Sequence, residues 1–113
     1  PTINFKLKYG ATVLATTGVV TTTTGATNWQ WFFRGVVTCR TTGAVGTVIL
    51  QGELLVQTGA TAMSVYPMLQ TATATVNTTA TQAVDLSIQW GAADAANTIS
   101  GTNFVMYPVA TPL

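Results

Sequence analysis

Residues 29–57 read WQWFFRGVVTCRTTGAVGTVILQGELLVQ, and the spacing inside this stretch decides the fold class. Successive side chains of an extended chain point to opposite sides, so residues two apart share a face. Trp29, Trp31, Phe33, Val37 and Cys39 fall on one such face, and Val48, Leu50, Leu54 and Val56 repeat the pattern after Thr47. Between the two runs lies Thr41-Thr42-Gly43-Ala44-Val45-Gly46, whose two glycines can supply the positive φ of a tight connection. The segment therefore reads as a long antiparallel hairpin with one core face.

Its register follows from burial. Setting Cys39 opposite Val48 places Val37 opposite Leu50, Phe33 opposite Leu54 and Trp31 opposite Val56, all on one side. The same register sets Gly35 against Gly52 and Arg34 against Glu53. A slip of one residue would separate the tryptophans from the leucines, so the register is specified by the apolar pattern itself. Two facing glycines leave a gap in the side-chain layer, which a neighbouring aromatic ring is expected to fill. The opposite face carries Phe32, Val36, Ile49 and Leu55 around Arg34 and Glu53, which is more apolar than a wet face needs. These six residues are the candidate subunit interface, with the two charges pairing as their neighbours exclude water.

Outward from the hairpin, the same period of two continues. Ile3, Phe5, Leu7 and Tyr9 alternate with Asn4, Lys6 and Lys8. Val13-Leu14 and Val19-Val20 mark two short strands around Thr16-Thr17-Gly18. Met63, Val65 and Pro67 alternate up to Met68-Leu69, Ala72 to Val76 is a short small-residue strand, and Val84, Leu86, Ile88 and Trp90 form another alternating run. Ile99 to Tyr107 reads as the last strand, ended by Pro108 and Pro112. Only Gly91 to Asn97 holds helix formers, too few to sustain a helix. With turn signals every 8 to 12 residues or so, the expectation is a single all-β domain, an antiparallel β-sandwich or jelly roll of about eight to nine strands.

Composition limits the functions. The chain has 113 residues, of which 6% are charged: four basic residues (Lys6, Lys8, Arg34, Arg40) against three acidic ones (Glu53, Asp85, Asp94). That is far below the roughly 25% of an ordinary soluble domain. Four scattered cations cannot supply the basic stripe that nucleic acid requires. There is no histidine and one cysteine, so neither a metal cluster nor an internal disulfide is expected. No apolar run is long enough for a membrane span. A hydrolytic triad lacks its usual base, and a carboxylate pair would have to come from Glu53, Asp85 and Asp94, the first already matched to Arg34. No catalytic, cofactor-binding or metal-binding residue is assigned, and the chain reads as a non-enzyme without a cofactor. Trp29, Trp31 and Trp90 share faces with aliphatic residues and read as core rather than as a sugar platform. Cys39 reads as a small core hydrophobe, and Asn77-Thr78-Thr79 as a chance match to a glycosylation pattern. A globule of 11.8 kDa exposes roughly 5,900 Å², and seven charges are few to cover it. Part of that surface is expected to be covered by copies of the chain or by a larger particle.

Two long segments and the opening strand carry a resemblance. Trp31 to Gly52, with Arg40-Thr41-Thr42-Gly43-Ala44-Val45-Gly46-Thr47-Val48 at its turn, resembles a recurring aromatic strand and turn of tailed-bacteriophage structural proteins. Thr81 to Asn103, with Asp85, Trp90-Gly91 and Asn97-Thr98-Ile99, is similar to the ending of the same modules, and Leu7-Lys8-Tyr9-Gly10 to their opening strand. The resemblance implies a β-sandwich that serves as a terminal or decorating module of a virion protein, often trimeric, with no catalytic residues. Such modules usually show one more strand before this opening, so residues 1–113 read either as the whole domain or as a fragment of a longer virion protein. The expected function is host attachment at a tail fibre or spike tip on the virion surface, as a homotrimer that contacts other virion proteins and a host receptor or glycan. The competing expectations are a head-decoration protein clamping capsid subunits and a carbohydrate-binding module.

Overall fold

The computed structural model describes residues 1–107. Eight strands are found among them: β1 (Thr2–Tyr9), β2 (Thr12–Thr16), β3 (Val20–Thr21), β4 (Trp31–Thr41), β5 (Gly46–Gly59), β6 (Ala62–Leu69), β7 (Ala74–Val76) and β8 (Val84–Trp90). They form two antiparallel sheets, and the described residues contain no helix. The arrangement is all-β and consistent with a β-sandwich.

Sheet A is built on β1. Ile3, Phe5 and Leu7 are buried while Asn4, Lys6 and Lys8 alternate with them. β8 pairs with β1 from Ile3 to Tyr9, and β2 and β3 share its other side. The β1–β2 ladder shifts between Leu7 and Lys8, skipping Leu14. This bulge lets two consecutive residues, Leu14 and Ala15, both be buried, which a regular strand would forbid.

Sheet B is built on β5, with β4 along one side and β6 and β7 sharing the other. The β4–β5 register is the one burial demands: Trp31 opposite Val56, Phe33 opposite Leu54, Arg34 opposite Glu53, Gly35 opposite Gly52, Val37 opposite Leu50, Cys39 opposite Val48. One core joins the sheets. Ile3, Phe5, Leu7, Leu14 and Val20 from sheet A meet Val48, Leu50, Leu54, Val56, Met68 and Val76 from sheet B. The Phe5 and Trp31 rings, 5.5 Å apart and inclined at 45°, bridge the layers, a tilted geometry that aromatic pairs favour.

Several expectations are corrected. Ile99 to Tyr107 is not a strand: residues 98–107 pair with nothing among the described residues, although Ile99 packs on the core. Pro108 and Pro112 lie outside the described residues. Trp29 precedes β4, just after Asn28 turns the chain at φ 58°, and is half-buried outside the core cluster. Cys39 is exposed. It belongs to the core-facing set of β4, but β4 is an edge strand and its ladder becomes irregular between Cys39 and Thr41. No strand among the described residues flanks that end, whereas Val48 across the ladder is flanked on its other side by Ala74 of β7. In the β4–β5 turn only Gly43 has a positive φ, 130°. Gly46 is required for space, because a Cβ there would lie 2.6 Å from the Thr41 carbonyl oxygen.

Candidate functional site

The outward face of sheet B gathers the residues singled out in the sequence. Cross-strand pairing sets Phe32 beside Leu55, Arg34 beside Glu53, Val36 beside Gln51, and Thr38 beside Ile49. All six candidate interface residues therefore stand on one face, in adjacent rows. Phe32 and Val36 are about half exposed, Ile49 and Leu55 partly so.

β6 widens this face, a contribution the sequence reading did not assign. Val65 stands opposite Leu55, Pro67 opposite Glu53, Leu69 opposite Gln51 and Met63 opposite Gln57. Of the alternating β6 residues, Met68 is buried, while Met63, Val65 and Leu69 are exposed. The signal was present as alternation, but Ser64 and Tyr66 on the core side made the two faces hard to tell apart. The result is an apolar surface three strands wide.

Near its middle sits the ion pair. Arg34 donates its Nε–H to Glu53 Oε1 at 2.5 Å, and its Nη2 approaches the same oxygen. The side chains are 68% and 30% exposed, respectively. In the isolated chain this is a surface pair, the kind that contributes little to stability. Beside it the backbone of Gly35 and Gly52 floors an open depression rimmed by Arg34, Val36, Gln51 and Glu53.

Gly35 and Gly52 face each other across the ladder. On the core side, the tip of the Phe33 ring lies 3.0 Å from where a Gly35 Cβ would stand and 3.4 Å from a Gly52 Cβ. The ring occupies the space that two side chains would otherwise take, so the gap is filled as the sequence led one to expect.

The remaining candidates disperse. Trp31 and Trp90 pack against the core, and the Trp31 indole donates to the Ser100 carbonyl at 3.2 Å. Asp85 is exposed on β8, opposite Lys8 of β1, and Asp94 caps a turn by accepting from Ala96 N–H at 2.9 Å. Asn77 Oδ1 accepts from the Thr79 backbone and hydroxyl at 3.0 and 2.6 Å, while Thr78 holds the β4–β5 turn through Gly43 N–H at 2.7 Å. The glycosylation-like triplet thus has a local structural task. No group of three or more His, Cys, Asp or Glu side chains comes together among the described residues. Total exposed area is 7665 Å², about 1,800 Å² above that of a compact monomer of this mass. No protein-family model, curated protein or solved structure is matched by the chain.

Proposed function

We propose that this chain is a structural module of a bacteriophage virion, assembled as a homotrimer and serving host attachment at a tail fibre or spike tip. The observation that carries the proposal is the outward face of sheet B, where Phe32, Val36, Ile49, Leu55, Val65 and Leu69 surround one ion pair. A soluble monomer rarely leaves so continuous an apolar surface uncovered. Covering it with copies of the chain also answers the shortage of charged residues. An Arg–carboxylate pair within such a contact fixes orientation more than it adds affinity, because desolvation offsets much of the attraction. The resemblance of Trp31–Gly52 and Thr81–Asn103 to phage modules supplies the setting: the particle surface, other virion proteins as neighbours, and a receptor or glycan as target. The jelly-roll assignment belongs to the same proposal, supported by four strands in each sheet and by pairing of the first strand with the last. The role is one of binding and assembly, with no catalysis and no cofactor.

The test has two arms. Sedimentation of the purified chain at micromolar concentration should show a trimer; a monomer there defeats the assembly reading and leaves the single carbohydrate-binding module as its replacement. The purified trimer should compete with phage for adsorption to host cells. Stoichiometric binding to capsids without such competition would assign the module to head decoration instead.

A further inference from the structure

β4 is an 11-residue strand paired on one side only. Gln57 N–H donates to the Gln30 carbonyl at 2.9 Å, which fixes the phase of the ladder. In an antiparallel pair, bonded positions alternate with positions whose backbone groups point away. Phe32, Arg34, Val36 and Thr38 therefore bond to β5. Trp31, Phe33, Gly35, Val37 and Cys39 turn their N–H and C=O groups to the open edge, where no backbone partner is found among the described residues. The β6 edge differs: the same alternation points Pro67 outward, and proline has no N–H to offer. β4 has neither proline nor lysine, and long bare edges of this kind are normally covered in native proteins.

The chain also contains a segment that lacks a partner. Thr98 to Tyr107 makes no backbone-to-backbone hydrogen bond among the described residues, and Phe104, Val105, Met106 and Tyr107 are all well exposed. Phe104, Val105 and Tyr107 are strand-forming residues, and with Met106 the run is apolar at both alternating positions. A strand apolar on both faces suits an edge that is apolar on both faces. On the core side of β4, Trp31, Phe33 and Val37 are only half-buried; on the outward side Phe32 and Val36 are exposed.

We infer that Phe104–Tyr107 of one copy adds as an antiparallel strand to the open β4 edge of a neighbouring copy. A neighbour is favoured over the same chain by direction. Ser100 accepts the Trp31 indole N–H, and Gly101 lies against the same ring, so the segment passes the start of β4. Continuing along that edge within one chain, it would run parallel to β4, whereas every ladder among the described residues is antiparallel. A segment arriving from another copy has no such constraint. The inference rests on the homo-oligomer reading and adds to it the element that is exchanged.

Residue-resolved amide hydrogen exchange on the full chain, at concentrations above and below assembly, tests this. In the assembled protein the amides of Phe33, Gly35 and Val37 should exchange about tenfold or more slowly than in the dilute monomer, together with amides in Phe104–Tyr107. The amides of Arg34 and Val36, bonded to β5, should be protected in both states. Val105→Pro removes a donor from an exposed, unpaired position and leaves the fold intact; it should abolish the protection of the odd-numbered amides alone. An oligomer whose Phe33, Gly35 and Val37 amides exchange freely overturns the strand exchange while leaving the oligomer reading standing. Protection that persists in the dilute monomer overturns it in favour of pairing within one chain. A monomer at every concentration, with the edge unprotected, defeats both.

Discussion

Replacing Glu53 by Ala separates a solvent-exposed ion pair from one sealed in a contact. In the isolated chain the Arg34 side chain is 68% exposed and Glu53 30%. A pair in that position contributes about 0.2–1 kcal/mol, so urea unfolding of the dilute monomer should shift by no more than that. In the assembly Phe32, Val36 and Leu55 would exclude water from the same pair, and removing the carboxylate would strand a guanidinium at a cost of about 3–5 kcal/mol. The difference, about 2–5 kcal/mol per contact, corresponds to roughly 30- to 3,000-fold weaker association at about 1.4 kcal/mol per tenfold. Sedimentation velocity over a concentration series measures it directly. The double replacement Arg34→Met with Glu53→Leu should restore association, since a buried pair can be exchanged for apolar residues at little cost. Assembly of Glu53→Ala at the wild-type concentration would refute the placement of this face in a contact. A monomer destabilised by more than about 2 kcal/mol would refute the exposed geometry.

Other substitutions test the fold that presents the face. Gly52→Ala should cost about 1–3 kcal/mol, because its Cβ would stand 2.9 Å from the Arg34 carbonyl oxygen and 3.1 Å from Gly35 Cα, both backbone atoms. Gly35→Ala meets the side-chain ends of Phe33 and Leu50 at 3.0 and 3.1 Å, with its nearest backbone atom, the Gln51 carbonyl oxygen, farther off at 3.3 Å, and should cost less; the reverse order in urea melts would contradict the glycine packing. Leu54→Ala, at a fully buried position, should lose about 2–5 kcal/mol, measured in the same melts. Cys39, exposed and lacking an internal partner, should react with a thiol reagent in the native state at a rate close to that of a free peptide, and reductant should leave the unfolding midpoint unchanged.

What could be read from the sequence was the part enforced by burial. The register from Trp31 to Val56 was legible because a slip would expose Leu50 and Leu54, which are completely buried. The pairing of Arg34 with Glu53 followed as a by-product of that register. Legibility failed where a residue's face and its actual cover part company. Cys39 has the right parity for the core, but an edge strand leaves its end bare. On β6, Tyr66 and Ser64 occupy the core side while Met63 and Val65 face outward, so hydrophobicity alone ranks the faces wrongly. For Phe104 to Tyr107, composition spelled a strand, yet a strand needs a ladder partner, and local sequence does not say where one is.

Pro67 has a consequence for stoichiometry. Pro67 interrupts the outward N–H row of β6 between Val65 and Leu69, so the longer unbroken row for an added strand is the one on β4. With strands exchanged as inferred above, a unit that accepts one and donates one would be linked head to tail, and its assemblies would be closed rings or open filaments. The number of copies in such a ring would be set by the angle between donor segment and acceptor margin rather than by how adhesive the outward face is. Substitutions in the Ser100–Asn103 span, which carries the donor away from Trp31, would change the number of subunits before they changed the strength with which any two hold together.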